Sequence, residues 1–502
     1  MISAQFSQRR APVSRAASLM VLLAALGLAC APPSTIGGVT ATPASPGRVW
    51  TAPKVAGAPL AGGEQALATR GVQVPAEVTA HLNSLSLNDV VSLALSNSPL
   101  TRATWAQARA SAATYGSASG RWLPSVTADV QGGPSRSVST STVVPSSRTN
   151  VSATLSLQYL LLDFGARSGT MAAAHEALFA ADLTHNATIQ NVVLQSQSAY
   201  FALQASRGLA IAATEAVGTA KANLEAANRR HDVGLATIAD VLQAKTALAQ
   251  SQLVAQSAEG NVQAARAQVA LAVGLAANSA FDVAPDTGAQ PVMVLAENVD
   301  SLVERALRGR PDVAAARALA RQSSAQVRAA RSATLPSFLI GANLGQTRSN
   351  NPLLQGSTNA LTFEVNWPLF TGFSREYDVV TAQENAAATA ARSEQARLLA
   401  IAQVFTSYYA LQTATQRVST SAELLTSATQ SEEVARGRYA EGVGSILDLL
   451  TAQSALADAR AQVVLSRWTW YTALAQLSRD SGVLGSHGEA NLTLTPAAAG
   501  RK

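Results

Sequence analysis

The motif from Arg230 to Ala244 recurs from Arg438 to Ala452. Arg230-His231-Asp232-Val233-Gly234-Leu235-Ala236-Thr237-Ile238-Ala239-Asp240 and Arg438-Tyr439-Ala440-Glu441-Gly442-Val443-Gly444-Ser445-Ile446-Leu447-Asp448 keep their Arg, Gly, Ile and Asp in register at a lag of 208 residues. A shared lag of this size marks an internal repeat, so the fold must be assembled from two copies of one plan. Each copy places a glycine turn between two long segments. Just past the turn, a hydroxyl residue stands three positions before an aspartate, Thr237 before Asp240 and Ser445 before Asp448. That order reads as a helix stop, a turn and a capping-box start. Two helical hairpins follow, with turns at 232–237 and 440–445.

The segment ahead of each turn, about Ser168 to Asp232 and about Glu376 to Ala440, contains no proline. As a helix each would span roughly 90–100 Å at 1.5 Å per residue, a length that implies coiled-coil-like packing. Tyr200 and Tyr408 sit midway along these segments at the same lag and read as packing residues. Shorter helical patterns open each repeat and stop at Leu123-Pro124 and Leu335-Pro336.

Between the short and long helices the period changes to two. Val126, Ala128 and Val130 alternate with polar residues, as do Val151, Ala153, Leu155, Leu157 and Tyr159, then Phe338, Ile340, Ala342 and Leu344, then Leu361, Phe363, Val365 and Trp367. These predict four half-apolar strands at about 125–131, 151–161, 337–345 and 360–369. Tyr159 and Trp367 share the lag of 208 and end their apolar faces, as membrane-interface aromatics or ordinary packed aromatics would. Transmembrane barrels need at least about eight strands, so either the hairpins pack on something else or several chains share one barrel.

Arg9, Arg10 and Arg15 precede an apolar run from Leu19 to Leu28 that ends in Ala29-Cys30-Ala31, the order of an export signal over residues 1–30. Cys30 is the single cysteine and is a candidate for lipidation; cleavage after Ala31 is the competing account. Residues 31–84 are rich in Pro, Gly and Ala and read as a tether, and residues 481–502 read as a disordered tail. With 14% charged residues and scattered arginines, the net charge of +6 reads as a solvated surface rather than a nucleic-acid footprint. The five histidines are widely spaced, and no nucleophile, phosphate-loop or metal-ligand pattern appears, so neither an enzyme nor a bound cofactor is expected.

Short helix, two strands, long helix, glycine turn and long helix, performed twice over residues 85–285 and 286–480, resembles the TolC-like outer-membrane efflux channels. The most specific motifs are Val233-Gly234-Leu235 and Arg438 through Ala452. The resemblance implies an α+β membrane protein, a homotrimer whose chains give four strands each to one 12-stranded β-barrel, continued by a long α-helical barrel in the periplasm. Its place would be the outer membrane of a Gram-negative bacterium, in contact with outer-membrane lipid. Its partners would be a periplasmic adaptor and an inner-membrane pump of RND or ABC type. Carried over by position, Val233, Gly234, Leu235, Gly442 and Val443 would dock the adaptor, while Asp240, Asp448 and Tyr439 would belong to the periplasmic gate.

Capping alone also accounts for both aspartates. The chain departs from the family where some members carry an arginine and a second aspartate, because it has Gly444 and Thr451, so the resemblance does not by itself imply the usual electrostatic lock. Efflux of small molecules or metals is the expected function. Type I protein secretion uses the same architecture, and a non-conducting periplasmic coiled-coil scaffold is the alternative of another class.

Overall fold

The computed structural model describes residues 45, 47, 48, 82, 84–139, 142–285, 293–350, 355–484 and 494–496. Cys30, the export signal, most of the 31–84 tether and most of the 481–502 tail lie outside the described residues.

Freedom from proline lets two segments run as uninterrupted helices. Repeat one comprises α1 (Leu87–Asn97), α2 (Pro99–Gly120), β1 (Ser125–Ser139), β2 (Thr142–Leu162), α3 (Ala166–Asp232) and α4 (Ile238–Ala272). Repeat two comprises β3 (Met293–Leu295), α5 (Val299–Gly309), α6 (Pro311–Ser332), β4 (Ser337–Ser349), β5 (Gly356–Asn366), α7 (Ser374–Ala440) and α8 (Ile446–Asp480); β6 (Leu494–Pro496) follows. Helices α3 and α7 have 67 residues each, and α4 and α8 have 35 each. The short helices break at Pro99 and Pro311, which lack the N–H an interior helical position needs and are tolerated at a helix start.

Four antiparallel strands pair in the order β1-β2-β4-β5. Their register aligns like with like: Val126, Leu157, Ala342 and Leu361 share one row, and the next row is Thr127, Ser156, Asn343 and Ala360. Over these rows and those next to the helices, one face is therefore apolar and the other mostly polar. The helices beneath pack laterally in the matching order α2, α3, α6, α7, so each strand continues into its own helix.

The strands differ from expectation at their ends. β1 and β2 run beyond the 125–131 and 151–161 windows, and β4 extends to Ser349. Those extensions are mostly Ser, Thr, Gly, Arg and Pro with scattered Val, and so have no period to read. Pro145 fits in β2 because β2 has only β1 beside it there; pairing with β4 starts at Asn150. β5 ends at Asn366, which leaves Trp367 just past the strand, exposed, while Tyr159 lies within β2 opposite Ile340. The tail also departs from expectation, because Leu494–Pro496 pairs with Met293–Leu295.

The joint between sheet and helix is pinned in repeat one by a buried ion pair. The Arg167 guanidinium donates to Asp163 at 3.1 Å and to the Leu161 carbonyl at 3.3 Å, and lies over the Trp122 ring at 4.4 Å. Both joints turn through a bulky residue at positive φ, Phe164 and Phe373, a conformation costing on the order of 1–3 kcal/mol unless its surroundings hold it. Their rings do lie against Phe338 and Phe370 respectively.

Halfway down, the few aromatics converge. Phe201 stacks on Trp468 and Tyr471 with centroids 6.0 and 5.5 Å away. Tyr200 packs on a core containing Leu93, Leu203, Val269 and Phe281, and Tyr408 on one containing Val404, Leu411, Trp470 and Leu477. Both tyrosines are packing residues, as the sequence suggested.

Candidate functional site at the helical tips

The two turns are copies in space as well as in sequence. The Leu235 N–H donates to the Arg230 carbonyl and Gly234 to that of His231; Val443 likewise donates to Arg438 and Gly442 to Tyr439. This is the Schellman pattern, and it needs a residue at positive φ, supplied by Gly234 (78°) and Gly442 (76°). The returning helices start from full capping boxes, Thr237 with Asp240 and Ser445 with Asp448. Thr237→Ala and Ser445→Ala should each lower stability by about 1 kcal/mol. Thermal melting of the purified variants checks this; no shift would mean that the tips are held by something other than their caps.

Val233, Leu235 and Val443 are 69–70% exposed, with Ile238, Leu242 and Leu447 exposed beside them. The tips thus present apolar side chains that nothing among the described residues covers. Asp240 turns its carboxylate back on Thr237, accepting from its N–H at 2.8 Å and its hydroxyl at 2.9 Å. Asp448 is looser: it is exposed, and its carboxylate meets the Ser445 N–H at 3.4 Å.

Tyr439 lies between the hairpins beside Ala227, Ala244 and Ile446. Burial pushes its hydroxyl above the usual tyrosine range, with Arg230 pulling it down and Asp240 pushing it up. Its ring sits 4.7 Å beneath the Arg230 guanidinium, which also donates to the Tyr439 carbonyl at 2.7 Å and that of Ala440 at 3.4 Å. A cation on the last carbonyls of a helix is favourable, because those oxygens lack intrahelical partners and carry the negative end of the helix dipole.

Arg230 is the residue the sequence reading missed. The available signal was its retention at the start of both motif copies, although neither the Schellman turn nor the capping box uses an arginine side chain. Above it, Asn223 and Glu432 both bond Gln453, and Arg460 pairs with Glu215 at 3.1 Å. The two hairpins of one chain therefore meet along a polar seam. No group of three or more His, Cys, Asp or Glu that could hold a metal occurs among the described residues.

No helix among the described residues is long and apolar enough to cross a membrane, which leaves the two-faced sheet as the candidate spanning element. The model of the outer membrane efflux protein family matches residues 90–275 and 302–483, one span in each repeat. The chain belongs to the outer membrane efflux protein family.

Protein CyaE of Bordetella pertussis is 31% identical over 409 residues, covering 80% of this chain and 85% of its own. The probable efflux pump outer membrane protein TtgC of Pseudomonas putida is 26% identical over 343 residues, covering 66% and 69%. Among solved structures, the CmeC outer membrane channel of Campylobacter jejuni superposes with a TM-score of 0.71 at 19% identity, covering 81% of this chain and 86% of its own. VceC of Vibrio cholerae gives 0.70 at 20% identity, covering 79% and 96%. The TolC-like architecture expected from the repeats is the fold of these channels. As an outer membrane efflux protein, the chain is a channel protein of the outer membrane that extends into the periplasm.

Proposed function

We propose that three copies of the chain close one 12-stranded barrel and one helical tube, forming the passive exit duct of a tripartite efflux system for small molecules. The observation that carries this is the open sheet. Four strands with an apolar and a polar face leave β1 and β5 each with one unpaired edge, too few to close a barrel alone, and exposed edges in a membrane are untenable. Three copies joined edge to edge satisfy every strand.

The exposed apolar tips around Val233, Gly234, Leu235, Gly442 and Val443 dock a periplasmic adaptor, and the pump behind the adaptor supplies the energy. Asp240, Asp448 and Tyr439 line the constriction at those tips. Small apolar molecules are the cargo, in line with relatives named for toluene and antibiotic efflux.

Deleting the gene should sensitise cells to a panel of drugs and solvents, and the wild-type gene should restore resistance. Unchanged sensitivity with loss of a secreted protein would overturn the small-molecule reading in favour of type I secretion.

A further inference from the structure

The contact that Arg230 makes has an equivalent that one chain cannot complete. By the repeat lag, Arg438 corresponds to Arg230, and His231 and Asp232 correspond to Tyr439 and Ala440. Arg230 is half-buried and seated on the end of α7, whereas Arg438 is exposed and makes no side-chain hydrogen bond or ion pair among the described residues. Among the described residues the receiving seat is also open. A Cβ at Gly442 would meet the Arg230 Nη2 at 3.6 Å, but a Cβ at Gly234 would meet nothing within 4 Å.

The same asymmetry runs up the hairpins. α8 is covered by α3, with Val464 against Gly208 and Gln453 and Arg460 bonded to Asn223 and Glu215. Its counterpart α4 leaves Leu242, Leu253 and Val254 exposed. Each half of the chain is built to sit beside a copy of the other half, and among the described residues of one chain only one of the two junctions is made.

We infer that Arg438 seats on a neighbouring copy of the chain, on the carbonyl oxygens of His231 and Asp232 at the end of that copy's α3, with the Asp232 carboxylate as its ion partner. Arginine seats then alternate around the tips, one kind within a chain and the next between chains. The between-chain seat differs in kind: Asp232 replaces Ala440 and adds a charge, so this junction is the more sensitive to salt. Opening the tips requires this seat to part, which makes Arg438 a positioning residue for closure. The inference rests on the trimeric reading above.

Thiol crosslinking in the full-length protein tests it. With Arg438→Cys and Asp232→Cys together, a short thiol-to-thiol crosslinker should give dimer and trimer bands on denaturing gels, and either single variant should give none. Arg230→Cys with Ala440→Cys, the within-chain seat, should crosslink without adding a higher band. Trimers before crosslinking, with no between-chain product from the first pair, would overturn the inference while leaving the trimer intact. Monomers throughout would overturn both.

A second readout separates closure from assembly. Arg438→Asp and Asp232→Arg should each raise the resting open probability of channels in planar bilayers by about fivefold or more, the lower end of coupling between linked sites, and the double reversal should bring it back. Equal conductance in all four proteins would remove Arg438 from closure.

Discussion

Phe363→Arg should leave outer-membrane fractions with little or no assembled protein, whereas Ala360→Arg, three residues away, should assemble normally. Phe363 shares the apolar face of the sheet in the row of Tyr159 and Ile340, and Ala360 shares the polar face with Thr127, Ser156 and Asn343. Both positions are exposed in the single chain, so burial alone does not separate them. In a closed barrel the first meets hydrocarbon and the second meets water. An arginine on the lipid face costs from about 1 kcal/mol near the interface up to roughly 2–4 kcal/mol at the midplane, and a lumen residue carries no such penalty. The cost recurs in every copy of a trimer. Unheated gels of outer-membrane fractions measure the result; equal assembly of the two variants would mean that the apolar face does not meet lipid.

Asp182→Asn should stabilise the protein increasingly as the pH rises from about 5 to about 8. Asp182 lies on α3 with none of its surface exposed, and neither carboxylate oxygen has a hydrogen-bond partner among the described residues. Burial pushes its carboxyl up from 3.8 to about 8. The folded state therefore keeps a proton that the unfolded state releases above about pH 4. The sign follows: the stability that goes with this proton is complete below pH 4 and declines as the pH climbs to about 8. One proton of difference corresponds to about 1.4 kcal/mol per pH unit in that interval.

His185, one turn along, works in the opposite direction. Burial lowers its imidazole below the usual range, with the Arg48 backbone opposing, and its Nδ1 meets the Thr104 hydroxyl at 2.9 Å. Its contribution is lost as the pH falls, so the Asn variant isolates the aspartate. Heat denaturation in detergent at a series of pH values checks the prediction; parallel curves for wild type and variant would show that Asp182 is ionised, or paired, in the folded protein.

Much of the architecture was legible because it is periodic. The strand faces could be read from Val126 to Val365 because alternation fixes which side a residue takes, and register then follows from matching faces. The long helices could be read because proline is absent and a glycine turn stops each one. What escaped had no period. The outer ends of β1 and β2 have no alternation to read, and the β3–β6 pair joins segments that are about 200 residues apart. At the tips, the turn glycines and capping aspartates were found because local chemistry dictates them. The seat of Arg230 on Tyr439 spans 209 residues and depends on two helices ending side by side, which no local pattern encodes. Asp182 was invisible for the reverse reason: a polar residue in a mixed helix gives no sign of which face is enclosed.

The matched lengths of α3 with α7 and of α4 with α8 set how such a protein could change size. Helices of equal length starting from one sheet bring both hairpin turns to the same depth, so a partner approaching from below meets a level rim. One inserted residue would lower one tip by about 1.5 Å and rotate everything beyond it by about 100°, tearing the seam and lifting one seat off its carbonyls. A cell with a deeper envelope could not lengthen the tube proposed above piecemeal. Growth would have to come as a whole number of face repeats, about seven or eleven residues, inserted into all four helices at once. The two halves of the chain are thus bound to a common gauge, and reach is inherited as a set rather than adjusted one helix at a time.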